Sequence, residues 1–276
     1  MAENAYKTAG EALYEYLNDR IIPPDVWMRM QEKHLTATAR PEGIRTFFQE
    51  AVAINVANRL ILHGKYINDN ILDATAAGFL SYLDRPVDLC GLRQVRGDGA
   101  LSRMVRDSVI ASMDPISPGL RKRLTSWAQR AHTNCYMCGV SLSFSISEVA
   151  PHTGFTLDHL WPNSLGGDSV EENLLPACLS CNSHKKRNYP SWAGCNVQMM
   201  MIGRNPSDTE LESMEGNFKF ALHNRAVRML ARQKNLSLKE AYLRVGPWND
   251  SPAAVEPEDV CDFFNLSNQN IVRFSV

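Results

Sequence analysis

The sequence predicts an α+β protein that is predominantly α-helical, with one small core of two strands and a helix, clipped by a metal and flanked by helical regions. Three observations predict it. Apolar residues recur at three-to-four spacing through most of the first hundred residues and again over 217–245. Between 137 and 175 the texture changes to short β-prone runs, at 140–146, 155–160 and 174–175, separated by turn residues such as Gly154, Gly166 and Gly167. That stretch is enclosed by two Cys-x-x-Cys pairs, Cys135/Cys138 and Cys178/Cys181. The expected division is a helical region over 1–116, the core over 117–195, and a second helical region over 196–276.

The clearest N-terminal helix is expected over 41–62, where Phe47, Phe48, Ala51, Val52, Val56 and Leu60 build an apolar face and Gly64 lies just beyond the end. Residues 69–83 repeat the idea and stop before Pro86; both segments read as packing helices, and His34 and His63 as ordinary histidines. Ser117-Pro118 supplies a capping serine and a proline at the first helical position. The helix it starts has Leu120, Leu124, Trp127 and Ala131 as its expected buried face. Past Cys181, the run NSHKKRN allows about two helical turns before Pro190. Over 217–245, Phe220, Ala221, Val227, Leu230 and Ala231 alternate with Arg225, Arg228, Arg232 and Lys234, and Met199, Met200 and Met201 read as core filler. The stretch 252–262 is acidic.

With 276 residues, 44% hydrophobic and 21% charged, the composition is that of a globular protein and excludes disordered, fibrous and disulfide-scaffold classes. The start lacks a signal-peptide layout and the apolar runs are far too short to span a bilayer, so a soluble cytoplasmic protein with no membrane partner is expected. Net charge is -1, so any polyanion site must be local. Local basic stretches exist: Arg121, Lys122, Arg123 and Arg130 within 119–134 face no acid, and 219–244 carries seven Lys/Arg against Glu240.

Four cysteines in two identically spaced pairs offer the ligand set of a closed structural Zn²⁺ site, while Cys90, Cys195 and Cys261 stand alone. A small hairpin buries little apolar surface, and a metal joining its ends supplies what packing cannot. The alternatives are buried cysteines acting as small hydrophobes, and redox exchange; the latter lacks the strand-to-helix setting of a thioredoxin-like motif.

Between the pairs lie Asp158 and His159 side by side, then Asn173, and Asn182 directly after Cys181. Asp158 and Asn182 offer oxygen ligands suited to a hard divalent ion, and an imidazole titrates near neutrality. Each of the four also has a structural reading, as a cap, a half-buried histidine or a turn residue. The run LDHLWPNSLGGDSVEENLLPACLSCNSHKK resembles the HNH endonuclease family, the ββα-metal or His-Me finger nucleases, and the resemblance covers residues 131–190. It implies that His159 is the general base, that Asp158 and Asn182 hold a catalytic Mg²⁺ or Mn²⁺, and that Asn173 ties the hairpin loop and orients the histidine. Adjacent strand residues point to opposite faces, so a shared site for Asp158 and His159 calls for a twist or bulge. His184 is an alternative extra ligand or phosphate contact. Lys185, Lys186 and Arg187, with Arg121 and Arg123, are either nucleic-acid contacts or solvated faces. His152 reads as a loop residue.

The resemblance implies a metal-dependent endonuclease hydrolysing phosphodiester bonds in DNA, with RNA still open. The family's frequent use in bacterial antiviral and mobile-element systems suggests an effector of defence or restriction, with a protein partner or a homodimer formed through the flanking helices. The near-neutral charge fits an outside partner or trigger. The competing reading is a non-catalytic zinc module that binds nucleic acid or a protein.

Overall fold

The computed structural model describes residues 5–21, 41–70, 99–144, 151–188 and 216–247, with single positions 25, 28, 79, 81, 83 and 87; the side chains at 41–48, 51, 151, 184–188, 216–222 and 225 are outside that description. Expectations for Cys90, Cys195, Cys261, His34, residues 199–201, the stretch 252–262 and most of 69–83 fall outside the described residues. The chain forms two compact units, one of Lys7–Pro115 with Trp161–Ser169, the other of Met1–Tyr6, Ile116–Leu160 and Val170–Val276.

The first unit is helical. Helix α1 (Ala9–Asn18) starts at Thr8, whose hydroxyl accepts the Glu11 N–H at 3.2 Å while the Glu11 carboxylate accepts the Thr8 N–H at 3.4 Å, a reciprocal capping box. Its Leu13, Tyr14 and Leu17 are buried against α2 (Pro41–Asn70) and α3 (Gly99–Met113). Helix α2 buries Val56 and Leu60 as expected, together with Ala53, Ile54, Ala57, Ile61 and Ile67, whereas Val52 lies on the exposed side. It does not end before Gly64 but runs through it. A Cβ at Gly64 would lie 2.6 Å from the Val109 side chain of α3, so this glycine marks a close helix crossing and not a terminus.

Residues 161–169, which separate the two strands of the other unit, complete this helical one. Trp161 is fully buried, 5.5 Å from the Tyr14 ring, and its indole N–H donates to the Leu165 carbonyl at 2.9 Å. The Gly10 N–H donates to the Gly166 carbonyl at 2.8 Å, and Asn163 Nδ2 to the Ala111 carbonyl at 2.8 Å. Gly166 does turn the chain, at φ 83°, but a Cβ there would also stand 2.6 Å from the Ser108 Cβ. At Gly10 a Cβ would meet the Leu165 carbonyl oxygen at 1.8 Å. Because that obstacle is backbone, Gly10→Ala is expected to destabilise the unit by about 1–3 kcal/mol, read as a lower melting temperature.

In the second unit, helix α4 (Pro118–Arg130) opens with the Ser117 hydroxyl accepting the Leu120 N–H at 3.3 Å and proline in the first turn. Its buried residues are Leu124 and Ala128, with Leu120 partly buried; Trp127 is 46% exposed and Ala131 is exposed, contrary to expectation. Residue 127 lies about 60° round the helix from 124, on the flank opposite the buried Ala128, and the contact with the neighbouring sheet is centred on Leu124. There Leu124 packs with Leu157 and Leu174, and Ile116, Leu120 and Phe155 close the cluster.

Strands β1 (Phe155–His159) and β2 (Leu174–Cys178) pair antiparallel, residue for residue, from Phe155 opposite Cys178 to His159 opposite Leu174. The β-prone run expected at 140–146 is no third strand: among the described residues it makes single bridges, Asn134 with Ser141 and Ser143 with Gly154. The chain just before it is folded into a knuckle, with the Cys135 N–H on the Val140 carbonyl and the Gly139 N–H on the Cys135 carbonyl, both at 2.9 Å. Helix α5 (Leu179–Asn188) follows β2 directly.

The helical spacing read across 217–245 belongs to two helices, α6 (Gly216–Lys234) and α7 (Leu238–Val245). Asn235 adopts φ 49°, and Ser237 begins α7 with a second capping box, its hydroxyl accepting the Glu240 N–H at 3.2 Å. Lys239 donates to the Glu171 carbonyl at 2.8 Å, pinning α7 to the turn before β2.

His223 on α6 is fully buried, its Nε2 2.8 Å from the Gly246 carbonyl oxygen, and burial pushes its pKa down to about 4. Below pH 6.5 the unfolded chain binds a proton that the folded chain refuses until about pH 4, so stability falls on acidification through that window, by roughly 3 kcal/mol in all. Thermal melts from pH 7 to 4.5 are expected to decline less steeply for His223→Gln than for the wild type.

Candidate functional site

Four sulfurs converge although they come from two distant segments. Cys135 and Cys138 lie on a knuckle closed by Gly139 at φ 76°, Cys178 ends β2, and Cys181 sits in the first turn of α5. All four Sγ atoms lie within 4.8 Å of one another, with Cys138 and Cys178 at 3.9 Å, and all four cysteines are free of disulfides. A tetrahedron with Zn–S bonds of about 2.3 Å has edges of ~3.8 Å, so the cluster fits a structural zinc site. Crowding separates the thiols' proton affinities: the Cys135 sulfur draws Cys178 down to about 7, while the same neighbour pushes Cys181 up. The Cys181 N–H points at the Cys178 sulfur at 3.4 Å, the kind of knuckle donor that favours a thiolate.

Next to this cluster the sheet separates its residues by face. Leu157 turns to the apolar cluster with Leu124 and Leu174. Thr156 and Asp158, offset by one position, lie on the other face of β1. Asp158 is only 5% exposed, and its Oδ2 accepts the Tyr136 hydroxyl at 2.6 Å. Burial, and after it the Asp158 charge, pushes the Tyr136 phenol well above its ordinary value, so it stays a donor.

Asn182, on α5 one residue past Cys181, reaches the same face, its Nδ2 donating to Thr156 Oγ1 at 3.0 Å. The Thr156 hydroxyl has a single proton, and it goes to the Ala177 carbonyl at 3.0 Å. Thr156 can therefore only accept from Asn182, which fixes the amide with its NH₂ on Thr156. The consequence is at the other end: Asn182 Oδ1 is buried and has no hydrogen-bond partner among the described residues. A buried carbonyl oxygen in that condition is costly unless something positive meets it.

His159 is the last paired residue of β1 and is half-buried. The one-to-one ladder through His159 contains no bulge, so alternation sends Asp158 and His159 to opposite faces of the strand. Asn173 is buried, and its carbonyl accepts the Leu160 N–H at 2.8 Å, fixing the backbone immediately after His159. Arg123 is exposed but engaged by Glu171 at 2.7 Å; Arg121 is exposed on the same helix, and His152 is an exposed residue of the short turn before β1. The side chains of His184, Lys185, Lys186 and Arg187 lie outside the described residues, on the backbone of α5. Sequence reasoning missed Tyr136 and Thr156. The alternation Thr156-x-Asp158 was a usable signal for the second; a tyrosine between two cysteines gives none.

Residues 135–197 match the model of the HNH endonuclease family, HNH_5, and the four-cysteine cluster lies within the match, consistent with an HNH-type metal-binding fold. That assignment supports nucleic-acid binding in general. No curated protein and no solved structure matches the chain. Among the described residues no helix is long and apolar enough to cross a membrane.

Replacing Cys178 with Ser removes one thiolate from the cluster. Elemental analysis is expected to show zinc in the purified wild type and a large loss in Cys178→Ser, with faster amide exchange across β1 and β2.

Proposed function

We propose that the protein is a metal-dependent endonuclease that hydrolyses phosphodiester bonds in DNA, with its nuclease core over 117–195 and flanking helical regions over 1–116 and 196–276 that restrict the target. The observation that carries this reading is the orphaned, buried Oδ1 of Asn182, whose Nδ2 is bonded to Thr156 on the strand face that also bears Asp158. A carboxylate and an amide oxygen on one face suit Mg²⁺ or Mn²⁺, which keep the rest of their coordination for water and phosphate.

Asp158 and Asn182 would hold that ion, and when bound it supplies positive charge to the phosphoryl and leaving oxygens. His159 accepts the proton of the attacking water. As the terminal residue of β1, on the face opposite Asp158, it would approach a phosphate from the other side of the strand end. Asn173 holds the backbone that follows His159 and so limits its wandering. Arg121, Arg123, His184, Lys185, Lys186 and Arg187 are the candidate backbone contacts, and the weak, exposed pairing of Arg123 with Glu171 leaves that arginine available. The low net charge favours an effector of a bacterial defence or restriction assembly that a partner or a second copy brings to its substrate.

Plasmid incubated with the protein and Mg²⁺ or Mn²⁺ is expected to be cut, and His159→Ala to slow cutting by about 10²–10⁴-fold. Cutting that is indifferent to His159→Ala would defeat the assignment. Zinc-loaded protein that cuts no form of DNA or RNA with any divalent ion would leave a zinc-dependent binding module instead.

A further inference from the structure

The knuckle that carries Cys135 and Cys138 also carries Tyr136, and this residue connects three parts of the core unit. Its backbone N–H donates to the Pro176 carbonyl of β2 at 3.1 Å. Its ring meets the Tyr242 ring of α7 edge-on, with centroids 4.9 Å apart and planes at 84°. The Tyr242 hydroxyl is in turn bonded to Asn224 Oδ1 of α6. At its far end the Tyr136 hydroxyl donates to Asp158 Oδ2 at 2.6 Å, with both residues over nine-tenths buried.

We propose that Tyr136 is a positioning residue for Asp158: fixed by the sulfur knuckle, β2 and the α6–α7 pair, its hydroxyl sets the orientation in which the carboxylate meets a divalent ion together with Asn182. The proposal rests on the reading of Asp158 and Asn182 as a ligand pair. Two ligands from different elements bind a small ion well only when their oxygens are held in advance, because the cost of fixing a free rotor is otherwise taken from affinity. Asn182 has its own guide in Thr156, and Tyr136 is the corresponding guide for Asp158. Its place between two of the four cysteines makes the orientation of Asp158 depend on the closed knuckle, so the zinc cluster acts on the catalytic ligand through one side chain.

The test uses the full, zinc-loaded chain without nucleic acid. Mn²⁺ binding is followed by the loss of the free-ion paramagnetic resonance signal, for the wild type, Tyr136→Phe and Asp158→Ala. Tyr136→Phe keeps the ring against Tyr242 and is expected to retain its zinc and its far-ultraviolet dichroism while binding Mn²⁺ about 10–100-fold more weakly. The Mn²⁺ concentration for half-maximal plasmid cutting should rise by the same factor. Wild-type Mn²⁺ affinity in Tyr136→Phe, alongside loss of binding in Asp158→Ala, overturns the role of Tyr136 and leaves the ligand pair standing. Unaltered binding in Asp158→Ala overturns the ligand pair and this inference with it. If Tyr136→Phe does not fold, the wild type decides: Mn²⁺ should perturb the tyrosine absorption as it draws charge from the shared carboxylate, and a flat difference spectrum at saturating Mn²⁺ overturns the inference.

Discussion

The sheet and helix α5 of the core unit meet at four sulfur atoms held within 4.8 Å of one another. The two five-residue strands and α4 share a small apolar cluster around Leu124, Leu157 and Leu174 that contains no residue of α5, so the packing there does not fix the angle at which α5 leaves the sheet. The sulfurs supply that angle. Cys178 is the last residue of β2 and Cys181 lies one turn into α5, so a metal joining them to the first knuckle determines where α5 leaves the strand. Asn182 comes next in the chain, and its position is a direct result. The sulfur of Cys181 and the unpartnered amide oxygen of Asn182 thus belong to residues joined by a single peptide bond.

The polar face of β1 shows how a small sheet keeps buried polar groups in order. Each hydrogen-bonding group there has one permitted role: the Ala177 carbonyl accepts, the Thr156 hydroxyl passes its proton on and accepts in turn, and the Asn182 amide is left presenting oxygen. The Tyr136 phenol, which burial keeps protonated, can only donate to the Asp158 carboxylate. The outcome is two oxygen-bearing side chains of known polarity on one face. Apolar packing alone does not achieve this, because it places groups without setting which atom faces outward.

Features governed by short spacing were legible in the sequence. The two Cys-x-x-Cys pairs, the Ser117-Pro118 helix start, the hairpin and the placement of Asn182 beside Cys181 are all local patterns, and each has a structural counterpart. What escaped reading depends on contacts between distant segments. Gly64 has the composition of a helix end but lies at a crossing with Val109, and Trp127 has the hydrophobicity of a core residue but is 46% exposed. Tyr136 gives no periodic signal, since its partners are an aspartate on β1 and a tyrosine on α7. The break at Asn235 is a different case. The Ser237-x-x-Glu240 capping box that restarts the helix is a local pattern present in the sequence, and an apolar period runs across it.

The segment between β1 and β2 has one further consequence, which concerns the order of synthesis. Residues 161–169 belong to the helical unit, so that unit is not complete when α1, α2 and α3 have been made. Tyr14 waits for Trp161, and the Gly10 amide for the Gly166 carbonyl, until β1 and the first cysteine pair have already left the ribosome. Only then does β2 emerge. A hairpin whose connecting loop is already ordered has less chain entropy to lose on closing than one joined by a free tether. The glycines at 10 and 166 allow the close approach by which that loop joins the helical unit, so a side chain at either position would bear on a segment that is made only after β1.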